Sequence, residues 1–247
     1  MKFIGILMIN GENDILERTL AHNARLVDFF YVLDGTYPHE TSRDICLSHD
    51  KCHGYKTDDE VPYAGQPRDG WRQHLYEQAV ADHGYDNWFL LLHGDEVWTA
   101  NPRDIVDGQA DCYQFPLPFY FPRTGEEWDD DVHPLDQLHW RLGPGYPEWR
   151  LFRGAPDVHY EPRQHFNVLP EGLKRAGFSS ESILHYPYRS PVVQRQRAVI
   201  HERTGFDPDN YRHILDDDAV YWTDDMIAAY QRKEWFRNLD CRVTALS

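Results

Sequence analysis

The stretch Asn87-Trp-Phe-Leu-Leu-Leu-His-Gly-Asp-Glu96 constrains the chain most. From Trp88 to His93 it shows almost no polar alternation, which is how a strand buried on both faces of a parallel sheet reads. It then stops at His93, Gly94, Asp95 and Glu96. Ligands of open α/β sheets gather beyond the carboxyl ends of the strands, so Asp95 is the first place to expect a hard cation or a phosphate.

A chain of 247 residues is long enough to bury one large core without staples. We expect a single domain over 1–247, with a nucleotide-binding half at 1–100, an acceptor-side half at 101–190 and a C-terminal helical segment at 191–247. The net charge of −16 argues against nucleic acid or an anionic membrane surface as the main partner, since both demand a basic face. Cys46, Cys52, Cys112 and Cys241 are few and irregularly spaced, which suits free thiols in a reducing compartment and a cytoplasmic protein. The opening Met1–Ile9 reads as a strand rather than a signal peptide, because it runs into Glu12, Asp14 and Glu17 with no cleavage site. No run approaches the roughly 18 apolar residues of a spanning helix, so membrane contact is at most peripheral.

Along the chain, Phe3 to Ile9 reads as a strand, Asn10-Gly11 as a turn, and Asp14 with Glu17 as the capping box of a helix whose face carries Leu16, Leu20 and Ala24. Val27 to Leu33 reads as the second strand, Thr41 to Leu47 as a short helix and Gly54 to Thr57 as a short strand. A helix with Trp71, Leu75 and Ala79 then ends at Gly84. This alternation predicts a mostly parallel sheet covered by helices. Beyond Glu96, Asn101-Pro102 should start a short helix, and Cys112 to Phe121 reads as a strand whose prolines suggest an edge or mixed sheet. Arg123 to Tyr146 reads as a long functional or mobile loop, and order resumes at Glu148. Helices are expected from Ser190-Pro191 to about Arg203 and from roughly Ala219 to Arg237.

Several of these stretches together resemble the nucleotide-binding half of family 2 glycosyltransferases. Met8-Ile-Asn-Gly-Glu-Asn-Asp-Ile-Leu16 looks like the family's first strand and turn, with Glu12 matching. Tyr31-Val-Leu-Asp-Gly-Thr-Tyr-Pro-His-Glu-Thr41 looks like its second-strand motif, with Asp34 and Thr41 matching and Tyr37 and His39 replacing Ser and Asp. Trp88 to Glu96 is similar to the strand ending in Asp-x-Asp-Glu, with His93 in place of the first aspartate. The helix with Arg72 and Ala79 resembles the segment that usually precedes that strand. The resemblance covers about residues 1–120 and implies a GT-A type, Rossmann-like α/β fold: a mostly parallel sheet flanked by helices, with a mixed acceptor-side extension and C-terminal helices.

It further implies transfer of a sugar from a nucleotide-diphospho-sugar donor to a glycan or lipid-linked glycan acceptor, inverting and assisted by Mn²⁺ or Mg²⁺. Asp95 would be the primary metal ligand and Asp34 the contact to base or ribose, with Glu12 beside the donor. His93 has three roles open to it: coordinating the cation, which would favour Mn²⁺; hydrogen-bonding a phosphate; or serving a site that works without a cation. The base would be Asp136 or Glu148. Arg68, Arg72, His185 and Arg189 are the candidate cations for the departing diphosphate, with His185 alternatively a third metal ligand.

Other chemistries fit less well. Cys46, His49, Cys52 and His53 have zinc-like types but match no common structural spacing, and Asp129–Asp131 and Asp216–Asp218 lack the interleaved ligands of a calcium loop. There is no Walker A loop and no Gly-x-Ser-x-Gly elbow. A sugar-nucleotide nucleotidyltransferase is the enzymatic alternative, although its glycine-rich phosphate loop with arginine is absent. A non-catalytic nucleotide-sugar or glycan binding protein is the other.

Overall fold

A computed structural model describes residues 1–36, 39–57, 68–160, 170–204, 221–231 and 242–245. Contacts divide the chain into two compact units, Met1–Pro116 with Pro147–Ile183 and Leu117–Tyr146 with Leu184–Ser247.

The first unit is built on β1 (Phe3–Ile9), every residue of which is buried. Strand β2 (Phe29–Asp34) lies parallel to it on one side and β4 (Trp88–His93) parallel on the other, while β3 (Cys52–Thr57) adds to the outer edge of β2, again parallel. The far edge of β4 pairs antiparallel with the end of β7 (Trp140–Arg153), matching Phe89 to Phe152, so the sheet is mixed. This is the expected α/β architecture with a Rossmann-like parallel half.

The apolar runs decode into two faces because alternate residues of a strand point to opposite sides. Ile4, Ile6, Tyr31, Leu33, Phe89 and Leu91 pack with Leu75, Tyr76 and Ala79 of helix α3 (Arg68–His83) into one core cluster. Leu7, Phe30, Val32, Leu90 and Leu92 are buried on the other side. Phe89 makes an edge contact with Tyr76 (centroids 4.8 Å apart) and stacks on Phe152 (5.5 Å). Full burial of each such side chain contributes about 1.5–3 kcal/mol. Helix α1 (Leu16–Asn23) buries Leu16 and Leu20, and α2 (Glu40–Leu47) buries Ser42 and Cys46.

Asp14 and Glu17 do not form the expected capping box: the residue before α1 is Ile15, and no side chain caps that helix. Glu12 supplies the start instead, its backbone carbonyl accepting from Ile15 N and Leu16 N at 2.9 and 2.8 Å. The expected stop of α3 is present. Gly84 turns the chain at φ +77°, and Asn87 Nδ2 donates to the carbonyls of His83 and Gly84. Beyond β5 (Glu96–Trp98), helix α4 (Pro102–Ile105) is capped by Asn101, whose side chain accepts from Arg103 N at 3.1 Å.

Strand β6 (Cys112–Phe121) passes from the first unit into the second. Its start pairs with β8 (Ala176–Phe178) and its end with β9 (Ile183–His185), both parallel. The second unit contains α5 (Pro134–Gln137), the start of β7, α6 (Pro191–Thr204), α7 (Asp224–Gln231) and β10 (Arg242–Ala245). Phe119, Phe121, Leu142, Tyr188, Ala198, Trp222 and Ile227 form its core. The long loop expected to reach Tyr146 is shorter than that, because Trp140–Tyr146 belongs to β7, whose Trp140–Gly143 pairs antiparallel with β10. Its Gly143-Pro144-Gly145 reads locally as a turn, and the strands that pair with β7, β6 and β10, are distant in sequence, β10 by some hundred residues. The expected α6 start is present, Val193 N donating to Ser190 Oγ at 3.2 Å. The final expected helix is seen as α7, with 219–220 and 232–237 outside the described residues. No helix among the described residues is long and apolar enough to cross a membrane.

At the amino end of the sheet, His83 stacks on Phe29 with ring centroids 4.5 Å apart, and its Nδ1 lies 3.3 Å from Lys2 Nζ. Burial, then Lys2 and then His53 lower its pKa from the usual 6.5, against an opposing pull from Asp82. A base with a lowered folded pKa contributes its full stability above the unfolded value and loses it as pH falls through the folded one. The thermal midpoint should therefore drop as pH falls below the usual histidine value of 6.5. His83→Phe, which keeps the stack without the proton, should flatten that drop in a pH series of melting curves; an unchanged slope would dismiss His83 as its source.

Candidate functional site

The carboxyl ends of β1, β2 and β4 converge, and the backbone ties their turns together. Gly35 N donates to Ile9 O at 2.9 Å, Gly94 N to Met8 O at 3.1 Å, and Gly11 N to Thr36 Oγ1 at 2.8 Å. Helix α1 clamps the 94–96 turn from below. Thr19 Oγ1 donates to Gly94 O at 2.6 Å and Asn23 Nδ2 to Glu96 O at 2.7 Å. Gly94 is required by close approach: a Cβ there would lie 2.7 Å from Ile9 Cγ2 and 3.1 Å from Glu12 Oε2.

Around this turn the sheet buries Glu12, Arg72, Asp95, Glu96 and Arg150. Arg72 Nη2 lies 3.2 Å from His93 Nε2, and His93 Nδ1 lies 3.3 Å from Glu96 Oε1. The same Glu96 oxygen receives Arg150 Nη2 at 2.7 Å, and that nitrogen also meets Glu148 Oε2 at 2.7 Å. The result is a continuous polar chain, Arg72–His93–Glu96–Arg150–Glu148. Burial lowers the His93 pKa to about 4, Glu96 opposing and Arg150 and Arg72 assisting, so the imidazole is neutral at physiological pH. Burial disfavours the Arg150 charge, but Glu148, Glu96 and Asp95 outweigh it and raise its pKa.

His93, Asp95 and Glu96 each offer an atom of metal-binding type, and these atoms lie within 4.8 Å of one another. Among the described residues around this turn are four carboxylates, Glu12, Asp95, Glu96 and Glu148, and two guanidiniums, Arg72 and Arg150. That surplus of negative charge, on oxygen donors, fits a hard divalent cation. Asp95 and Glu96 supply such oxygens there.

The other expected residues are distributed as follows. Asp34 is fully buried, and its carboxylate accepts from Thr36 N at 2.7 Å and from the hydroxyls of Ser42 and Tyr55, with His39 Nδ1 at 3.8 Å. It thus fastens α2 and β3 to the end of β2. Burial, followed by the bond to Asp34, raises the Tyr55 pKa, keeping that phenol a donor. The Glu12 carboxylate accepts from Asn10 N. Arg68 opens α3, with its side chain outside the described ones. Glu148 lies in the first unit with Asp95. Asp136, exposed on α5, His185, ending β9, and Arg189 belong to the second. Arg189 is buried, its Nη1 donating to Tyr186 O at 3.2 Å.

Arg150 is the site residue that reading the sequence missed. Its signal was the spacing Glu148-x-Arg150, which puts both side chains on one face of a strand.

No model of a known protein family matches the chain, and no curated protein matches it. Solved structures that it resembles include HddC from Yersinia pseudotuberculosis, at 10% identity and TM-score 0.38 over 75% of this chain and 93% of that one; HddC also matches in a structure complexed with GMP-PN. Mannose-6-phosphate isomerase from Helicobacter pylori follows at 11% identity and TM-score 0.36, over 62% of this chain and 71% of that one. A putative glucose-1-phosphate thymidylyltransferase from Bacillus anthracis, in complex with a sucrose, matches at 8% identity and TM-score 0.31, over 90% and 85%. None of these names is a glycosyltransferase, and TM-scores below 0.5 are too low to argue from.

Gly94→Ala should destabilise the chain by about 1–3 kcal/mol, since Ile9 and the buried Glu12 must both give way. Urea unfolding measures this, and a midpoint equal to that of the native chain would show that the turn is not packed this tightly.

Proposed function

We propose that the chain is a nucleotide-sugar transferase that meets its donor's phosphates at the carboxyl ends of β1, β2 and β4. The observation that carries this reading is the buried cluster at the end of β4, where Asp95 and Glu96 stand with Arg72 and Arg150. Such a site brings cation-holding carboxylates and fixed guanidiniums to one place, which is what a nucleoside diphosphate demands of a protein. Asp95 would hold Mn²⁺ or Mg²⁺. When bound, the cation supplies Lewis-acid neutralisation of the phosphates.

The chain's own residues do the rest. Arg72, held by His93, presents a guanidinium at the strand end. Asp34 keeps the β2 turn in shape for the nucleoside through its bonds to Thr36, Ser42 and Tyr55. Glu148, anchored by Arg150 in the same unit as Asp95, is the stronger candidate for the acceptor's base.

Glycosyl transfer is the favoured chemistry, because the loop after β1, Asn10-Gly-Glu-Asn13, carries a single glycine and no arginine. Sugar-nucleotide nucleotidyl transfer is the second reading. It would use the same cation at Asp95.

Calorimetric titration with a panel of nucleoside diphosphates, with and without Mn²⁺, tests the site. Metal-enhanced binding should weaken by about tenfold or more in Asp95→Asn, the loss of roughly 1.4 kcal/mol or more. Absence of nucleotide affinity in the native chain would sink the reading. Product analysis then separates the chemistries: nucleoside diphosphate released from a nucleotide sugar marks glycosyl transfer, and pyrophosphate released from a nucleoside triphosphate with a sugar phosphate marks nucleotidyl transfer. Tight binding with neither product would mark a binding protein.

A further inference from the structure

We propose that His93 is a positioning residue and not a metal ligand: its Nε2 accepts from Arg72, its Nδ1–H donates to Glu96, and the imidazole couples Arg72 to the Glu96–Arg150–Glu148 chain. The available protons fix this arrangement. A guanidinium has only donors, so Arg72 Nη2, 3.2 Å from His93 Nε2, requires the lone pair of that nitrogen. The single ring proton of a neutral imidazole then resides on Nδ1, and the group 3.3 Å from Nδ1 is the Glu96 carboxylate, an acceptor.

Coordination requires a ring nitrogen with a lone pair to give. In this tautomer Nδ1 has none, and Nε2 has committed its own to Arg72. The opposite tautomer would let Nδ1 meet a cation, but it would aim the Nε2 proton at the Arg72 donor. The partner of a metal-bound histidine is normally an acceptor, a carboxylate or carbonyl, and here the residue behind Nε2 is an arginine.

A cation at the end of β4 therefore meets oxygen, with Asp95 first. The site selects Mg²⁺ or Mn²⁺ by carboxylate alone and gains nothing for nitrogen-seeking Zn²⁺. This deepens the transferase reading and rests on it only for the identity of the cation; the tautomer itself is independent of it.

A long-range ¹H–¹⁵N correlation spectrum of the full chain labelled with ¹⁵N-histidine reads the tautomer directly. His93 is identified as the ring missing from His93→Asn or, should that variant not fold, by through-space contacts to Met8, its register partner on β1. The expected spectrum shows a ring protonated at Nδ1, an Nε2 resonance that shifts in Arg72→Met, and both nitrogens unmoved when Zn²⁺ is added. A ring protonated at Nε2, or either nitrogen displaced by Zn²⁺, would overturn the proposal. Failure of the native chain to bind any nucleotide would defeat the transferase reading and leave this spectrum as it is, so the two failures are distinguishable.

Discussion

The buried ion pair between Glu96 and Arg150 is the constraint around which the strand-end site is arranged. Both residues are almost wholly withdrawn from water, and their oxygen and nitrogen lie 2.7 Å apart. Burying two charges costs several kcal/mol each, and an apolar pair of similar volume would often stabilise a protein as well or better. Deleting one partner is a different matter, because it leaves the other charged and unsolvated, at about 3–5 kcal/mol. Glu96, Arg150, His93 and Glu148 therefore stand or fall together. That coupling fixes side chains of β4, β5 and β7 in one geometry, as a binding site needs and an apolar core would not supply.

The backbone beneath is equally determined. The parallel pairing of β1 with β2 and β4 brings three strand ends into line, and each then turns away within two residues. Side chains from behind hold those turns: Thr19 and Asn23 on the 94–96 turn, Thr36 on Gly11, Asp34 on Thr36 itself. All four of these bonds are side chain to backbone, so the chain itself sets the turns before any ligand arrives. Gly94 belongs to the same economy of space, since the turn runs too close to Ile9 and Glu12 for any side chain.

Much of this was legible in the sequence because its causes are local. The apolar runs at Phe3–Ile9 and Trp88–His93 are long and unalternating, and they became strands buried on both faces. Gly84 and Asn101-Pro102 punctuate helices as their backbone chemistry demands. What was not legible depends on distant partners. Trp140–Tyr146 is strand because distant segments pair with β7, β6 on one side and Arg242–Ala245 along Trp140–Gly143, whereas its own Gly-Pro-Gly argues for a turn. The Asp14–Glu17 pair had the spacing of a cap, but the carbonyl of Glu12 already starts that helix. Arg150 reads as one polar residue in a strand until β7 is known to lie beside β4, which puts it against a carboxylate some fifty residues earlier. Asp34 was legible as a strand-end acid, whereas its burial and the bonds that occupy it come from Ser42 and Tyr55, which carry no signal of their own.

Histidine rather than a carboxylate at position 93 has a physical consequence for the end of β4. A carboxylate at position 93 would sit against Glu96 as a like charge and against Arg72 as a counterion. It would raise the electrostatic cost of burying Glu96 and cancel the Arg72 charge where a phosphate would want it. A neutral imidazole does neither. It accepts from Arg72 and donates to Glu96, orienting a cation and an anion without neutralising either. The strand end thus keeps its positive charge on Arg72 and its negative charge on Asp95 and Glu96 as separate, fixed features. That separation is what a ligand carrying both phosphate oxygens and a divalent cation would meet.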